Sequence, residues 1–591
     1  MEIMYLWVED YQSLKDVGFN FSNEFEFDYS PKTGYLSYII KENSIPKNFY
    51  PPKIKTVNAI IGDNGTGKTT LFHFLYTFLA NKACKSVIVV KMKDEKGQQI
   101  IQPFYEPELE VKLSPENQIY SIVKVPIPYI NGNEQALAVE MIKSLHIVYF
   151  SLGLHIGDFF GHSYTQDIST TNFIRRTKEL LNETVPGIIL SDYSDSKLPD
   201  YQRYLIHELL MQIDLVNEYP ELIRKMFDKQ EPLRTLTVYF LTNIINLSKL
   251  NVANGYLNGN EYLVEFVREE RRKSDSKYGW LNIQNPSLAK VMLGVMILIN
   301  TEIQEGELAF LGTHSIDKIQ DKIKEILLDK YNTAYDFYNA AIQCFEKGSI
   351  TNIQDIELSS GRFYPDFFSI NFEIDAKASK DFILEYIKSK KLQEYLGFYW
   401  GLSSGENMYL SIFSRLLFAQ KKHKIPNKNI ILLLDECEIH LHPKWQREYV
   451  NLVLNFAPEI FKEAESFQIM FSSHSPFILS DFPVAKVIFL EKDKDTRKTK
   501  VIKLDNSHET FAANVFSLYR ESFKVRDGLI GKYSKGKIND VMNSIVNDTY
   551  EQIKANEEQY RKLISLIGEP VIKNKILEML EERLNSNNLN D

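Results

Sequence analysis

The chain has 591 residues, of which 44% are hydrophobic, and this composition excludes a disordered or collagen-like protein. Three cysteines are too few for a disulfide scaffold, and a net charge of −9 argues against binding nucleic acid along the whole chain, although a local basic patch stays possible. Acidic residues precede any long apolar run at the N-terminus, and no apolar stretch reaches a bilayer span. We therefore expect a cytoplasmic protein without a membrane contact.

The apolar patterns divide the chain into four segments. Residues 1–151 contain mainly strands, including a short buried strand at 57–61 and another at 145–150. Residues 152–394 are predicted to be mostly helical, and residues 506–591 form a helical C-terminal region. Segment 395–505 returns to alternating strands and helices, with strands predicted at 430–434, 468–471 and 487–490.

The second segment carries apolar residues at helical spacing in four places. These predicted helices are residues 201–217, 236–247, 287–300 and 316–346. Alternation of apolar and polar residues at 363–374 predicts one strand. We therefore expect this segment to be an inserted region that contains more helix than its two neighbours.

Residues 62–69 fit the phosphate-loop pattern G-x-x-x-x-G-K-[ST] in full, between the strand at 57–61 and an apolar helix. Glycines let backbone N–H groups turn toward a phosphate, and the helix N-terminus adds partial positive charge. We expect Lys68 to reach the β- and γ-phosphates of ATP and the Thr69 hydroxyl to ligate Mg²⁺. The residues predicted to bind ATP in this loop are Gly62, Asp63, Asn64, Gly65, Thr66, Gly67, Lys68, Thr69 and Thr70.

The aliphatic run 430–434 ends in two acids, Asp435 and Glu436. Asp435 is predicted to hold Mg²⁺ as a Walker-B aspartate. Glu436 is placed to orient or deprotonate the attacking water. Neighbouring side chains on a strand point to opposite faces, so the two acids need not share a role. The alternative is a buried strand that ends in solvated acids.

Two further motifs occur along the chain in the order that a nucleotide-binding site requires. Ser403, Ser404, Gly405 and Glu406 precede an apolar helix, where an ordinary serine helix cap is the alternative. His474 follows the strand at 468–471, where a polar turn before a proline is the alternative.

Together these motifs resemble those of ATP-binding-cassette (ABC) ATPases. Residues 435–443, D-E-C-E-I-H-L-H-P, and residues 473–477, S-H-S-P-F, resemble the bacterial AAA-like branch related to SMC, RecF and OLD proteins. That branch often has a proline where this chain has Cys437. Segments 509–515 and 521–523 are similar to the tail of the Septu-type anti-phage ATPases, the group within this branch that the chain resembles most.

The resemblance implies an α/β fold: a discontinuous ABC/SMC-like P-loop head built from residues 1–151 and 395–505, with a mainly α-helical insertion and a helical C-terminal tail. It also implies a head-to-head dimer, or a higher oligomer, in which the signature residues 403–406 cap the γ-phosphate held by the second subunit. His474 would sense that phosphate and, with Lys68 and Glu436, complete the catalytic set. His440 and His442 would contact the partner subunit rather than a metal.

The Septu resemblance implies a separate HNH-type nuclease partner in anti-phage defence. Residues 491–495 have the acids of an OLD-type nuclease but lack its glycine, so we expect a charged hairpin there and no nuclease site in this chain. The alternative function is a RecF-like DNA-repair clamp without a nuclease partner, supported by basic clusters at 268–273 and 524–537. A transporter subunit fits less well, because Lys68 and Ser403 are too far apart in sequence. No Q-loop glutamine is identified.

Overall fold

The computed structural model describes residues 1–41, 45–46, 48–77, 84–93, 97–105, 108–114, 125–126, 144–153, 164–176, 179, 200–227, 233–240, 286–301, 308–312, 314–354, 371–389, 392, 396–423, 427–503, 509–523 and 530–585. These residues form two compact units, Met1–Ala513 and Asn514–Asp591. The predicted division of the chain into four segments stays a prediction.

The N-terminal part of the first unit is built from strands. Its five-stranded sheet has the order β2-β1-β6-β7-β9, and a three-stranded sheet has the order β3-β4-β8. The bounds are β1 Glu2–Tyr11, β2 Leu14–Asn20, β3 Phe25–Ser30, β4 Tyr35–Ile40, β5 Ile54–Gly62, β6 Ser86–Lys93, β7 Gln99–Tyr105, β8 Lys112–Leu113 and β9 Val125–Pro126.

A seven-stranded sheet combines strands from the N-terminal and C-terminal parts of the first unit, in the order β11-β10-β16-β17-β5-β18-β19. All neighbouring strands in it are parallel except β18 and β19, which form an antiparallel hairpin. Its later strands are β10 Leu145–Ser151, β11 Thr165–Asp167, β16 Asn429–Asp435, β17 Ser466–Ser473, β18 Val487–Lys492 and β19 Thr499–Ile502.

This sheet confirms the predicted α/β class and the discontinuous head. Strand β5 pairs with β17 and β18, although roughly the whole inserted region separates them in sequence. Every residue of β10, β16 and β17 is buried, as a parallel sheet covered on both faces requires. The strands predicted at 57–61, 145–150, 430–434, 468–471 and 487–490 are all present.

Between the two parts of the head and at the start of the second part, the described residues form helices and a four-stranded sheet of order β13-β14-β12-β15. The strands are β12 Thr235–Phe240, β13 Ile350–Gln354, β14 Asn371–Asp375 and β15 Leu396–Tyr399. The helices from the phosphate loop to the end of the first unit are α1 Lys68–Thr77, α2 Thr170–Arg175, α3 Asp200–Glu218, α4 Pro220–Met226, α5 Pro286–Asn300, α6 Ile316–Lys330, α7 Asn332–Glu346, α8 Ala376–Lys388, α9 Ser404–His423, α10 Pro443–Ile460 and α11 Pro476–Leu479.

The helix predicted at 236–247 is wrong where the structure describes it, because residues 235–240 form strand β12. Leu236 and Val238 are buried and alternate with less buried neighbours, so the period is two residues and not a helical turn. The helix predicted at 316–346 is two helices, α6 and α7, which meet at Tyr331. The strand predicted at 363–374 is described only from residue 371 onward.

The second unit is helical, as expected for the C-terminal region. Its buried core includes Val541, Ile545, Ile564 and Leu580. Its helices are α12 Val515–Glu521, α13 Lys532–Asn547, α14 Tyr550–Ala555, α15 Glu557–Ser565 and α16 Pro570–Asn585. Among the described residues of the whole chain, no helix has the length and apolar character needed to cross a membrane.

Candidate functional site

The phosphate loop lies between β5 and α1. Gly65 and Gly67 have φ angles of 77° and 104°, which side-chain-bearing residues rarely adopt. A Cβ atom on Gly67 would lie 2.6 Å from the Thr499 hydroxyl oxygen, which donates a hydrogen bond to the Thr66 carbonyl oxygen at 2.8 Å. Hairpin β18–β19 therefore supports the loop from outside.

Lys68 begins α1, and its side chain is only 3% exposed. Its ammonium group donates to the carbonyl oxygens of Gly62 at 2.9 Å and Asp63 at 3.3 Å, and lies 3.2 Å from the Glu436 carboxylate. Burial lowers the pKa of Lys68, while the Glu436 carboxylate opposes this shift. The ammonium group of Lys68 is thus held at the phosphate loop by two carbonyl oxygens and a carboxylate, which phosphate oxygens could replace.

Asp435 ends β16 and is buried beside the phosphate loop. Tyr149 donates to its Oδ2 atom at 2.9 Å, and the Ser472 hydroxyl donates to Oδ1. Burial raises the pKa of Asp435, and hydrogen bonds from Ser472, Thr69 and Tyr149 oppose that shift. An adjacent hydroxyl and carboxylate are the oxygen ligands that Mg²⁺ prefers, so Thr69 and Asp435 fit this ion.

Glu436 has a φ angle of 50°, a conformation that costs a non-glycine residue about 1–3 kcal/mol and is typical of functional sites. Its backbone N–H donates at 3.1 Å to the Ser472 carbonyl oxygen and at 3.1 Å to the Ser472 hydroxyl. The turn directs the carboxylate toward Lys68 and His474. The His474 hydrogen bond, followed by the charge of Lys68, lowers the pKa of Glu436 to about 2, so the group is an ionised hydrogen-bond acceptor.

His474 follows β17 and completes this cluster. Its Nε2 atom lies 2.8 Å from Glu436 Oε1 and 2.6 Å from Lys68 Nζ. One imidazole nitrogen cannot donate to the carboxylate and accept from the ammonium at once, so the three groups have alternative hydrogen-bond arrangements. The structure therefore brings together the three residues predicted to be catalytic.

Two residues after Glu436, Cys437 and His442, have structural contacts, and the predicted contact of His440 and His442 with a partner subunit stays a prediction. Cys437 is buried, and burial raises the pKa of its thiol well above the ordinary value. Nδ1 of His442 accepts from the Lys444 backbone N–H and caps α10, while His440 is exposed. Within the described residues, no group of three or more His, Cys, Asp or Glu side chains could hold a metal.

The signature segment 403–406 lies at the start of α9. The Ser403 N–H donates to Glu406 at 2.8 Å, and the Glu406 N–H donates to the Ser403 hydroxyl at 3.4 Å, which is a capping box. A Cβ atom on Gly405 would lie 2.8 Å from the Trp445 ring. Ser403 and Ser404 are exposed, so both the helix cap and an outward-facing surface are present.

Sequence reasoning missed several residues that support the site. Tyr149 and Ser472 hold Asp435, and the buried Glu438 accepts a hydrogen bond from Ser473. Burial raises the pKa of Glu438 to about 7. Ser472 and Ser473 stand beside the motif histidine and could have been found by position, whereas Tyr149 becomes visible only when β10 is known to pair with β16.

Other predicted features have mixed outcomes. The charged hairpin is confirmed as β18–β19, with Asp493 accepting hydrogen bonds in its turn. The basic cluster at 268–273 lies outside the described residues, as does 524–529 of the second cluster. Residues 532–537 begin α13, where Lys532, Lys535 and Lys537 are exposed.

A strand, a glycine loop with a buried lysine, a helix and an acidic strand end define a P-loop nucleoside-triphosphatase site. The chain belongs to the AAA ATPase domain family, whose model matches residues 1–479. This membership confirms the predicted enzyme class, an ATPase.

Two curated relatives match short segments. The Retron Vc95 probable ATPase of Vibrio cholerae serotype O1 biovar El Tor is 35% identical over 86 residues, or 14% of this chain and 15% of that protein. Septu protein PtuA of Bacillus thuringiensis is 29% identical over 72 residues, or 12% of this chain and 16% of that protein. The chain thus matches about a sixth of each relative's length.

Among solved structures, the SmcHead bound to the C-winged helix domain of ScpA is 9% identical to this chain. The comparison covers 86% of this chain and 98% of that one, with a TM-score of 0.22.

Proposed function

We propose that this chain binds and hydrolyses Mg²⁺–ATP at composite sites between two copies of its head, and that ATP state controls a separate HNH-type nuclease in bacterial anti-phage defence. The observation that carries the proposal is the convergence of Lys68, Asp435, Glu436 and His474 at the carboxyl edge of one parallel sheet. Ligands bind at this edge in open α/β sheets.

The contacts of Lys68, Glu436 and Asp435 support a role for each of them. Backbone N–H groups of the phosphate loop and Lys68 bind the β- and γ-phosphates, so Lys68 exchanges its carbonyl and Glu436 partners for phosphate oxygens. Glu436, released from the lysine, then accepts a hydrogen bond from the attacking water and orients it. Thr69 and Asp435 would hold Mg²⁺, which would supply positive charge beside the phosphates.

The second half of the site comes from another copy. Ser403 and Ser404 are exposed at the N-terminus of a twenty-residue helix, where backbone N–H groups and the helix dipole favour an anion. Gly405 keeps this helix start close to Trp445 of α10, which follows the Glu436 turn. A second head that approaches this surface would bring its own γ-phosphate to Ser403 and Ser404.

Replacing Glu436 by glutamine tests the composite site. Without the carboxylate that orients water, ATP remains bound, and we expect hydrolysis to fall by about 10²–10⁴-fold. Sedimentation velocity should show a stable dimer with ATP and monomers without nucleotide. A Glu436→Gln variant that stays monomeric with ATP and hydrolyses it at the normal rate would refute the proposal.

The nuclease partner is proposed from the Septu-type resemblance of the sequence, and the matches to the Septu and retron proteins cover short segments. The cytoplasmic setting is proposed from the N-terminal sequence and the length of the apolar stretches. Co-purification of the chain with the product of the neighbouring gene tests this part. A small HNH nuclease that binds the Glu436→Gln dimer would support it, and a chain that binds DNA alone would favour the repair clamp.

The repair-clamp alternative draws on the exposed lysines of α13. DNA binding that weakens steeply with salt would support it, because phosphate contacts release counterions. Binding that does not change from low to high salt would count against it.

A further inference from the structure

Gln212, on helix α3, contacts residues on both sides of the signature segment. Its Nε2 atom donates to the Ser411 hydroxyl at 3.2 Å, and its Oε1 atom accepts from Trp400 Nε1 at 2.9 Å. Trp400 precedes the signature residues 403–406, and Ser411 lies two turns into the helix that they begin. One side chain from the inserted region therefore contacts a residue before the signature segment and a residue after it.

These two hydrogen bonds are buried. Gln212 is 8% exposed and Trp400 is 5% exposed. An indole N–H has a single proton to donate, and leaving a buried donor unpaired costs about 1–3 kcal/mol. The position of Trp400, and with it the entry of the chain into α9, is thus tied to the amide group of Gln212.

Further polar contacts join α3 to α9. Arg415 is fully buried and donates to Glu208 at 3.0 Å and to the Tyr204 hydroxyl at 2.8 Å. Lys421, on the same helix, lies 3.0 Å from Asp214. A displacement of α3 would therefore be transmitted to the start of α9.

We propose that Gln212 is a positioning residue of the composite ATP site, through which helix α3 sets the orientation of the signature segment and lets the inserted region regulate turnover. The hydrogen bonds of Gln212 go to Trp400 and Ser411, which lie on either side of the signature segment in sequence, so we expect Gln212 to affect the encounter with a second head rather than the binding of ATP by its own head. The inference rests on the proposed function, because it requires that residues 403–406 complete a second copy's site.

Replacing Gln212 by methionine keeps the length of the side chain and removes both hydrogen bonds. In the full chain we expect kcat to fall about tenfold while the KM for ATP stays within about twofold, since the loss affects the transition state and not the binding of ATP to one head. Hydrogen exchange of the backbone amides at 401–411 should become faster. In the Glu436→Gln background, the ATP-dependent dimer should dissociate about tenfold more readily.

Gln102→Met is the matched control. Gln102 is buried in β7 and donates to the Pro103 carbonyl oxygen at 3.0 Å, away from the signature segment. It should leave kcat and the exchange of 401–411 unchanged. Similar effects of the two substitutions on kcat would show a general loss of stability and overturn the inference.

The outcomes separate this inference from the proposed function. If Glu436→Gln alone stays monomeric with ATP, the composite site fails, whatever Gln212 does. If that variant dimerises but Gln212→Met leaves dimerisation, kcat or the exchange of 401–411 unaltered, the positioning role is wrong. Hydrogen exchange of the amides at 401–411 does not require a dimer. It therefore tests the contacts of Gln212 with Trp400 and Ser411 whether or not the composite site exists.

Discussion

The phosphate-loop cluster (Lys68, Asp435, Glu436 and His474) and the signature segment (residues 403–406) differ in how their polar groups are paired. Lys68 and Asp435 are buried, and each has several partners from different strand ends of one sheet. Ser403 and Ser404 are exposed at a helix start, and the capping box leaves their outer surface open. The first region has its hydrogen-bonding requirements met within one chain, whereas the second presents its groups outward.

The two regions also differ in what holds them in place. The cluster is fixed by the register of parallel strands, in which Asp435 pairs with Ser151 on one side and Ser472 on the other. The signature helix is fixed by side-chain contacts with α3 and α10. We therefore expect the cluster to be rigid and the signature segment to respond to changes in the inserted region.

The largest effect on stability is expected at Arg415. Replacing it by methionine leaves Glu208 as a buried carboxylate without its ion-pair partner, which costs about 3–5 kcal/mol of unfolding free energy. Urea denaturation of the full chain measures this loss.

The double variant Arg415→Met with Glu208→Met should recover most of that stability, because no unpaired charge stays buried. If the double variant is as unstable as Arg415→Met alone, the loss comes from the other contacts of Arg415, such as those with Thr170 and Tyr204, and not from an unpaired Glu208 carboxylate.

Tyr149→Phe tests the cluster. Removing the hydroxyl deprives the buried Asp435 of one donor, and we expect a loss of about 1–2 kcal/mol of unfolding free energy with a higher Mg²⁺ requirement for ATP turnover. A Mg²⁺ titration of the ATPase rate measures the second effect.

Tyr50→Phe is the control, because among the described residues the buried Tyr50 hydroxyl has no hydrogen-bond partner. Removing this unpaired hydroxyl should not lower the free energy of unfolding, and it should leave the Mg²⁺ requirement unchanged. Equal effects of the two substitutions would mean that the Tyr149–Asp435 contact has no special role.

The smallest effect on stability is expected at Ser403. Ser403→Ala removes one bond of the capping box and should cost about 1 kcal/mol. Thr549→Ala removes the same kind of cap from α14 in the C-terminal unit and should cost a similar amount.

The two variants should differ in ATPase rate. Only Ser403→Ala should slow turnover, if Ser403 serves a nucleotide as well as its helix. Equal ATPase rates of the two variants would mean that Ser403 acts only as a helix cap.

Much of the cluster could be predicted because its motifs are local. The phosphate loop needs only its own glycines and Lys68, and Asp435 follows a five-residue aliphatic run that marks a buried strand. The discontinuous head followed from the order of the motifs along the chain. These features depend on neighbours in sequence, and the structure brings them together at one sheet edge.

Contacts between distant segments could not be predicted in the same way. Tyr149 reaches Asp435 only because β10 and β16 are neighbours, and Gln212 reaches Trp400 only because α3 packs near the head. The helix expected at 236–247 failed because β12 gains its stability from pairing with β14 and β15.

A mixing experiment tests the central claim, that each ATP site combines the cluster of one chain with the signature segment of another. Lys68→Ala destroys the cluster, and Ser404→Arg places a bulky side chain on the exposed signature surface. Each variant alone should be inactive. Mixed in equal amounts, they should recover about a quarter of the wild-type ATPase rate, because half of the dimers are mixed and each mixed dimer has one intact site. No recovery on mixing, or full activity of Ser404→Arg alone, would contradict the account.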